Sequence, residues 1–282
     1  MLEATARKPG NVHPGASFAD LAYDDFVAAA KTVAPILAQT PATGVGQAVL
    51  SAMQTTRAAC DSNPNLGIVL LIAPLAAVPD DLPLVAGIGS VLGRLTVEDA
   101  ALVYQAIRIA QPGGLGQVDQ QDVSADPDVT LLEAMRLAAD RDLVATQYAD
   151  GFSVVLETGL SLLADSADFE SDWETAVIRL HIELMSRHPD SLISRKCGRK
   201  EAVESARRAK KVLEAGWPHT TAGHHTLQKL DDWLRAKGNA RNPGTTADLV
   251  TASLFAALRE GIVQAPSPEL ILARAQQIRS QS

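Results

Sequence analysis

Apolar residues recur at intervals of three and four along most of the chain, and this spacing limits the possible folds more than any other feature. Phe18, Leu21, Ala22, Phe26, Ala29, Val33 and Leu37 follow it near one end, and Ala247, Val250, Leu254, Ala257 and Leu258 near the other. This is the signature of a helix that buries one face. No sustained period-two segment competes with it. Composition agrees, because 46 alanines and only 4% aromatic residues favour helix and withhold the side chains that strands prefer. The spacing predicts an all-α protein, a single large multi-helix domain over residues 1–282. Its helices are expected near 17–39, 44–60, 65–78, 82–94, 97–110, 129–149, 151–164, 171–187, 190–197, 200–215, 221–237, 245–262 and 268–279.

At 282 residues the chain can bury a sizeable core without covalent staples. Cys60 and Cys197 are far apart and neither belongs to a C-x-x-C pair, which leaves zinc ribbons, redox motifs and disulfide-dense secreted folds unsupported. The opening residues carry Glu3, Arg7 and Lys8 where a signal peptide would be apolar, so a cytoplasmic location is expected. A formal charge of −8 argues against a general nucleic-acid binder and still allows one local cationic site. The longest apolar run, Leu66 to Val78, holds 13 residues, short of the roughly 20 that span a bilayer. It is expected to be a buried helix, with no membrane partner. The least helical stretch, 111–128, is rich in glycine, aspartate and proline, and is expected to be a polar loop with a soft division of the domain there.

Three polar blocks interrupt the helical pattern. Lys8-Pro9-Gly10-Asn11-Val12-His13 is followed by Ser17-Phe18-Ala19-Asp20 at an expected helix start. Asn63-Pro64-Asn65-Leu66-Gly67 precedes the most apolar helix, and Asn242-Pro243-Gly244-Thr245-Thr246-Ala247-Asp248-Leu249 opens the last long one. Together and in this order they resemble the triphosphoribosyl-dephospho-CoA synthase family, which builds the prosthetic-group precursor of citrate lyase and malonate decarboxylase. Pro189-Asp190-Ser191 with Arg195 resembles that family's aspartate-to-arginine segment. The chain departs from the better-known members at Phe18, where they carry histidine, at Leu66, where they carry lysine, and in 111–128, which lacks their arginine- and glycine-rich block.

The resemblance implies a transferase that moves the triphosphoribosyl unit of ATP to the ribose 2′-hydroxyl of dephospho-CoA and releases adenine. Breaking the C1′–N bond develops oxocarbenium character, which carboxylates stabilise, and one carboxylate can take the proton of the attacking hydroxyl. The catalytic candidates are Asp20, Asp190 and Asp248. Magnesium is expected, with Asp20 and Asp248 as its protein ligands. Lys8, Asn63, Asn65, Arg195 and Lys196 are candidates for binding nucleotide and phosphate. ATP and dephospho-CoA, or another small-molecule acceptor, are the expected partners, and a homo-oligomer is compatible with the sequence. The departures at Phe18 and Leu66 favour a second reading, phosphoribosyl-type transfer to a different acceptor in the biosynthesis of a pterin-like cofactor. A third is a non-catalytic helical protein that holds a nucleotide or an acidic partner.

Each candidate also has a structural explanation. Ser17-x-x-Asp20 and Thr245-x-x-Asp248 fit capping boxes, as does Thr96-x-x-Asp99, where no family resemblance exists. Asn63-Pro64 fits a turn and Asn65 an N-cap, although free amides at a helix start also suit a phosphate. Between Arg195 and Lys211 lie eight basic residues against Glu201 and Glu204. Such a run is either a solvated helix face or a polyphosphate clamp, in which Arg195 and Lys196, near Asp190, would be the gripping residues. Gly87-x-Gly89 reads as close helix packing, and His219, His224 and His225 as surface residues.

Overall fold

The structure, a computed structural model, describes residues 1–112, 123–166 and 168–281, and the three-and-four spacing is realised there as a series of helices. In chain order these are α1 (Leu2–Thr5), α2 (Tyr23–Leu37), α3 (Thr40–Thr43), α4 (Val45–Ala59), α5 (Leu66–Ala76), α6 (Leu84–Gly93), α7 (Val97–Ala110), α8 (Leu131–Ala138) and α9 (Leu143–Asp150). There follow α10 (Leu160–Ala164), α11 (Trp173–Arg187), α12 (Ser191–Cys197), α13 (Arg199–Glu214), α14 (Thr221–Arg235), α15 (Gly244–Arg259) and α16 (Pro268–Ser280). A π-helical turn at Val154–Gly159 leads into α10, and a 3₁₀ turn at Gly238–Arg241 links α14 to α15. Among the described residues the strand-like pairings are two isolated bridges, His13 with Ala16 and Phe18 with Leu21.

The boundaries correct the sequence in three places. The first long helix starts at Tyr23 and not near residue 17, because the two bridges hold 13–21 in tight turns. The helix expected over 129–149 is broken, since the Asp142 carboxylate accepts from Val144 N (2.8 Å) and starts α9 afresh. The helix expected over 151–164 opens only after Gly151 and Phe152, both at positive φ (73° and 66°). Of the anticipated loop at 111–128, residues 113–122 lie outside the described residues. No described helix is long and apolar enough to cross a membrane.

The chain divides into two compact units, Asp24–Thr158 and Met1–Tyr23 with Gly159–Ser282. The divisions fall after Tyr23 and after Thr158, and not within 111–128.

In the Asp24–Thr158 unit, α4 lies along α7, and α5 is buried as its composition demands. The Thr96–Asp99 capping box forms, with Thr96 N donating to Asp99 Oδ2 (2.9 Å) and Asp99 N to Thr96 Oγ1 (3.1 Å). The other oxygen of the same carboxylate accepts from Gly46 N (2.9 Å) in the first turn of α4. Only glycine allows this approach, because a Cβ on Gly46 would stand 2.7 Å from Asp99 Cα. Gly87 is in close packing as expected, with a Cβ position 2.3 Å from Val78 Cγ1.

In the unit made of residues 1–23 and 159–282, α11 forms the floor, and α13, α15 and the N-terminal segment pack on it. Glu174 of α11 accepts from Arg7 Nε (2.8 Å) and Arg274 Nε (2.6 Å). Burial works against the charge of Glu174, but the bonds from Arg7 and Arg274 prevail and hold its pKa below the usual range. His181, also on α11, has no exposed surface, and burial pushes its pKa down to about 3, so it packs as a neutral ring.

Asp190 ties two further helices together. Its Oδ1 accepts from Ile193 N (3.0 Å) and so caps α12, while its Oδ2 accepts from Thr246 N (2.7 Å) and Thr246 Oγ1 (2.8 Å) at the start of α15. The residue is completely buried, and desolvation pushes its pKa up against these bonds. Asp190→Ala removes two caps at once, each worth about 1–2 kcal/mol, and is expected to lower unfolding free energy by about 2–4 kcal/mol. Denaturant unfolding measures this, and a loss below about 1 kcal/mol would contradict the double cap.

Candidate functional site

The polar blocks that surround α12 and α15 meet on one face of the Met1–Tyr23 and Gly159–Ser282 unit. Asn11 Nδ2 donates to Asn242 Oδ1 (3.1 Å), joining the first block to the third. Gly10 N donates to Asp231 Oδ1 (2.6 Å), and Arg235, bonded to the same carboxylate at 2.9 Å, donates from Nη2 to Asn11 O (2.7 Å). Gly10 sits at φ 71°, and a Cβ there would stand 2.6 Å from Leu234, which is why the Lys-Pro-Gly loop needs glycine. Phe18 lies under Arg235, whose guanidinium carbon is 5.8 Å from the ring centroid. Ser191 Oγ donates to Thr245 Oγ1 (3.0 Å) beside Asp190.

Neither Asp20 nor Asp248 takes the place in a capping box that its spacing suggests. Asp20 lies outside any helix, is exposed, and accepts at both oxygens from Asn239 Nδ2 (2.6 and 2.5 Å). Thr245 lies inside α15, whose N-cap position is Pro243, so the box expected with Asp248 does not form. Asp248 is partly exposed in the second turn of the helix. Two helix starts of similar sequence have therefore taken different roles from the Thr96–Asp99 box. Lys196 donates from Nζ to the backbone oxygen of Asn239 (3.3 Å), which brings a cation to the residue that holds Asp20. Arg195 is close enough to Asp190 to favour its charged form.

Three candidates are turned inward. Lys8 has no exposed surface. Its ammonium pairs with Glu3 (3.0 Å) and donates to the Glu3 and Ala6 carbonyls, so it anchors the loop and does not reach outward toward a phosphate. Burial lowers its pKa, and Glu3 opposes that shift. Asp190 is equally enclosed, with both oxygens engaged as described above. In the other unit, Asn65 is buried at the N-cap position of α5, but its side chain donates to Thr56 Oγ1 (3.0 Å). The bond to the helix amide comes from half-buried Asn63, whose Oδ1 accepts from Leu66 N (3.2 Å).

The basic run separates in the same way. Arg207 and Arg208 both bond Glu204, Arg208 and Arg241 flank the Trp233 ring at 4.6 and 3.9 Å, and Arg199 and Lys200 are exposed at the start of α13. Lys196 of the run is bonded to the residue that holds Asp20. His13 belongs to this face as a neutral ring, because burial, and after it the cations Arg235, Lys8 and Arg7, push its pKa down to about 3. Its Nδ1 accepts from Gly15 N (3.2 Å). His219, His224 and His225 are surface residues, as expected.

Across residues 1–267 the chain matches the CitG family, described as ATP:dephospho-CoA triphosphoribosyl transferase. The chain belongs to this family. It is therefore a transferase, and the non-catalytic reading falls away. A crystal structure described as that of a candidate triphosphoribosyl-dephospho-CoA synthase from Archaeoglobus fulgidus superposes with a TM-score of 0.64 at 26% identity, covering 84% of this chain and 100% of the other. No curated protein sequence matches the chain.

No three histidine, cysteine, aspartate or glutamate side chains among the described residues converge to hold a metal ion. A magnesium site in this transferase would have to combine one or two carboxylates with water and phosphate oxygens, the usual pattern for that ion. Asp20 meets this requirement, since it is exposed and held by a neutral amide that leaves its charge in place. Lys196→Ala is expected to weaken ATP binding about tenfold or more, the cost of a charge-assisted contact of about 1.5–3 kcal/mol. Arg207→Ala is expected to change nothing, because that guanidinium serves Glu204 on the surface. Calorimetric titration distinguishes the two, and equal affinities would return the whole run to a solvated face.

Proposed function

We propose that the Met1–Tyr23 and Gly159–Ser282 unit, acting through Asp20, Lys196 and Asp248, transfers the triphosphoribosyl unit of ATP to the ribose 2′-hydroxyl of dephospho-CoA, with release of adenine. Family membership supports the reaction class. The observation that carries the assignment of residues is the arrangement around Asn239, which holds an exposed carboxylate on one side and an ammonium on the other.

In this reading Lys196 and Arg195 receive the triphosphate, and the phosphate chain stays whole. The bond between C1′ and the adenine nitrogen breaks, and the acceptor oxygen forms the new bond to C1′. Asp20 stands against the positive charge that grows on the ribose, a preorganised charge of the kind that supplies much of an enzyme's rate. Asp248 receives the hydroxyl proton, the departing adenine takes up one proton from water, and Asp248 returns its own to solvent. Asp20 and Asp248 are the residues that would hold magnesium, which when bound offsets the charge of the triphosphate. Asp190 and Lys8 act from the interior, by fixing α12, α15 and the Lys-Pro-Gly loop. Asn63 and Asn65 serve the start of α5.

Phe18 supports one variation, in which the donor chemistry is kept and the acceptor belongs to a pterin-like cofactor. A half-buried aromatic ring beside Asp20 replaces the histidine of the better-known members. Incubation with ATP, magnesium and dephospho-CoA is expected to release adenine and consume dephospho-CoA in equal amounts, without ADP or phosphate. Asp20→Asn is expected to slow release roughly a hundredfold or more and to change ATP affinity far less. Adenine released without loss of dephospho-CoA selects the other acceptor, and phosphate release contradicts both.

A further inference from the structure

None of the polar blocks of the sequence contains Asn239, yet it touches both charged groups of the proposed site. Its side-chain amide donates to both oxygens of Asp20 (2.6 and 2.5 Å), and its backbone carbonyl accepts from Lys196 Nζ (3.3 Å). A carboxylate at the surface can be bound by a lysine or an arginine. A neutral amide takes the carboxylate instead. It orients Asp20 without cancelling its charge, which a lysine or arginine at the same place would do.

The support beneath Asn239 is firm. Within the Gly238–Arg241 turn, Arg241 donates from Nε to Glu201 on α13 (2.7 Å) and from Nη1 to the Trp233 carbonyl on α14 (2.9 Å). Its guanidinium lies over the Trp233 ring at 3.9 Å, and Cys197 Sγ of α12 donates to the Ala240 carbonyl at 3.2 Å. The turn is thus fixed by three helices, whereas Asp20 sits in a loop with no helix of its own. A carboxylate that must face one atom of a bound ribose needs such an external bearing, since a misplacement of about 1 Å can cost a hundredfold in rate.

We infer that Asn239 is a positioning residue for the transfer: it aims the Asp20 carboxylate at the ribose. The inference rests on the reading of Asp20 given above. Its test is a double-mutant cycle on the full chain, with adenine release and calorimetric ATP binding as separate readouts. Asn239→Ala is expected to lower kcat about ten- to a hundredfold while KM and ATP affinity change less than about threefold, because the carbonyl that holds Lys196 is retained. In an Asp20→Asn background the same substitution is expected to cost nothing further, since it acts only through that carboxylate. Asn239→Asp keeps the size of the side chain and is expected to show the same loss of kcat should the alanine variant fold poorly. Full kcat in Asn239→Ala or Asn239→Asp, with Asp20→Asn slow, overturns the inference and leaves the reading of Asp20 standing. Losses that simply add across the cycle overturn it as well. Full kcat in Asp20→Asn overturns the reading of Asp20 and the inference with it.

Discussion

Two helices carry the charges of the proposed site other than Asp20, and one buried carboxylate holds both helices at their N-termini. Asp190 caps α12, which bears Arg195 and Lys196, and closes the start of α15, which bears Asp248. Helix N-termini favour negative charge, so the two helices together offset part of the cost of burying the carboxylate. The neighbouring Ser191–Thr245 bond closes the same junction. The other unit repeats the device in a simpler form, with Asp99 shared between the starts of α7 and α4. A protein made of helices has many orphan amides to satisfy, and here one acid per unit satisfies those of two helices.

The N-terminal segment divides its charges by depth. Glu3 and Lys8 pair in the interior, and Glu174 draws Arg7 and Arg274 onto α11. These contacts fix the loop that follows, so Asp20 emerges from an anchored segment and meets Asn239 at the surface. The lysine of the Lys-Pro-Gly motif therefore acts on the site through the backbone it holds, and not through contact with a phosphate.

The helices were legible because their signal is periodic and local. The buried faces of α4, α7, α11 and α15 follow from the spacing of apolar residues, and the Thr96 cap lies next to the amide it serves. The first and third of the blocks that resemble the family meet in the Met1–Tyr23 and Gly159–Ser282 unit, through Asn11 and Asn242. What the sequence hid was long-range. Ser17-x-x-Asp20 has the spacing of a cap, but the bridges at His13 and Phe18 delay the helix, and the carboxylate finds a partner more than two hundred residues away. Lys8 reads as an exposed ligand until its pairing with Glu3 is seen, and Asn239 lies between helices in a segment with no motif of its own.

The central claim is that one face, built around Asp20 and Lys196, receives the donor nucleotide. A crystal structure of the protein with ATP and magnesium, without an acceptor, tests it most directly. The account expects the triphosphate against Lys196 and Arg195, the ribose facing the Asp20 carboxylate, and Asn239 still bonded to Asp20. A nucleotide bound out of reach of Asp20 and Lys196 would contradict it.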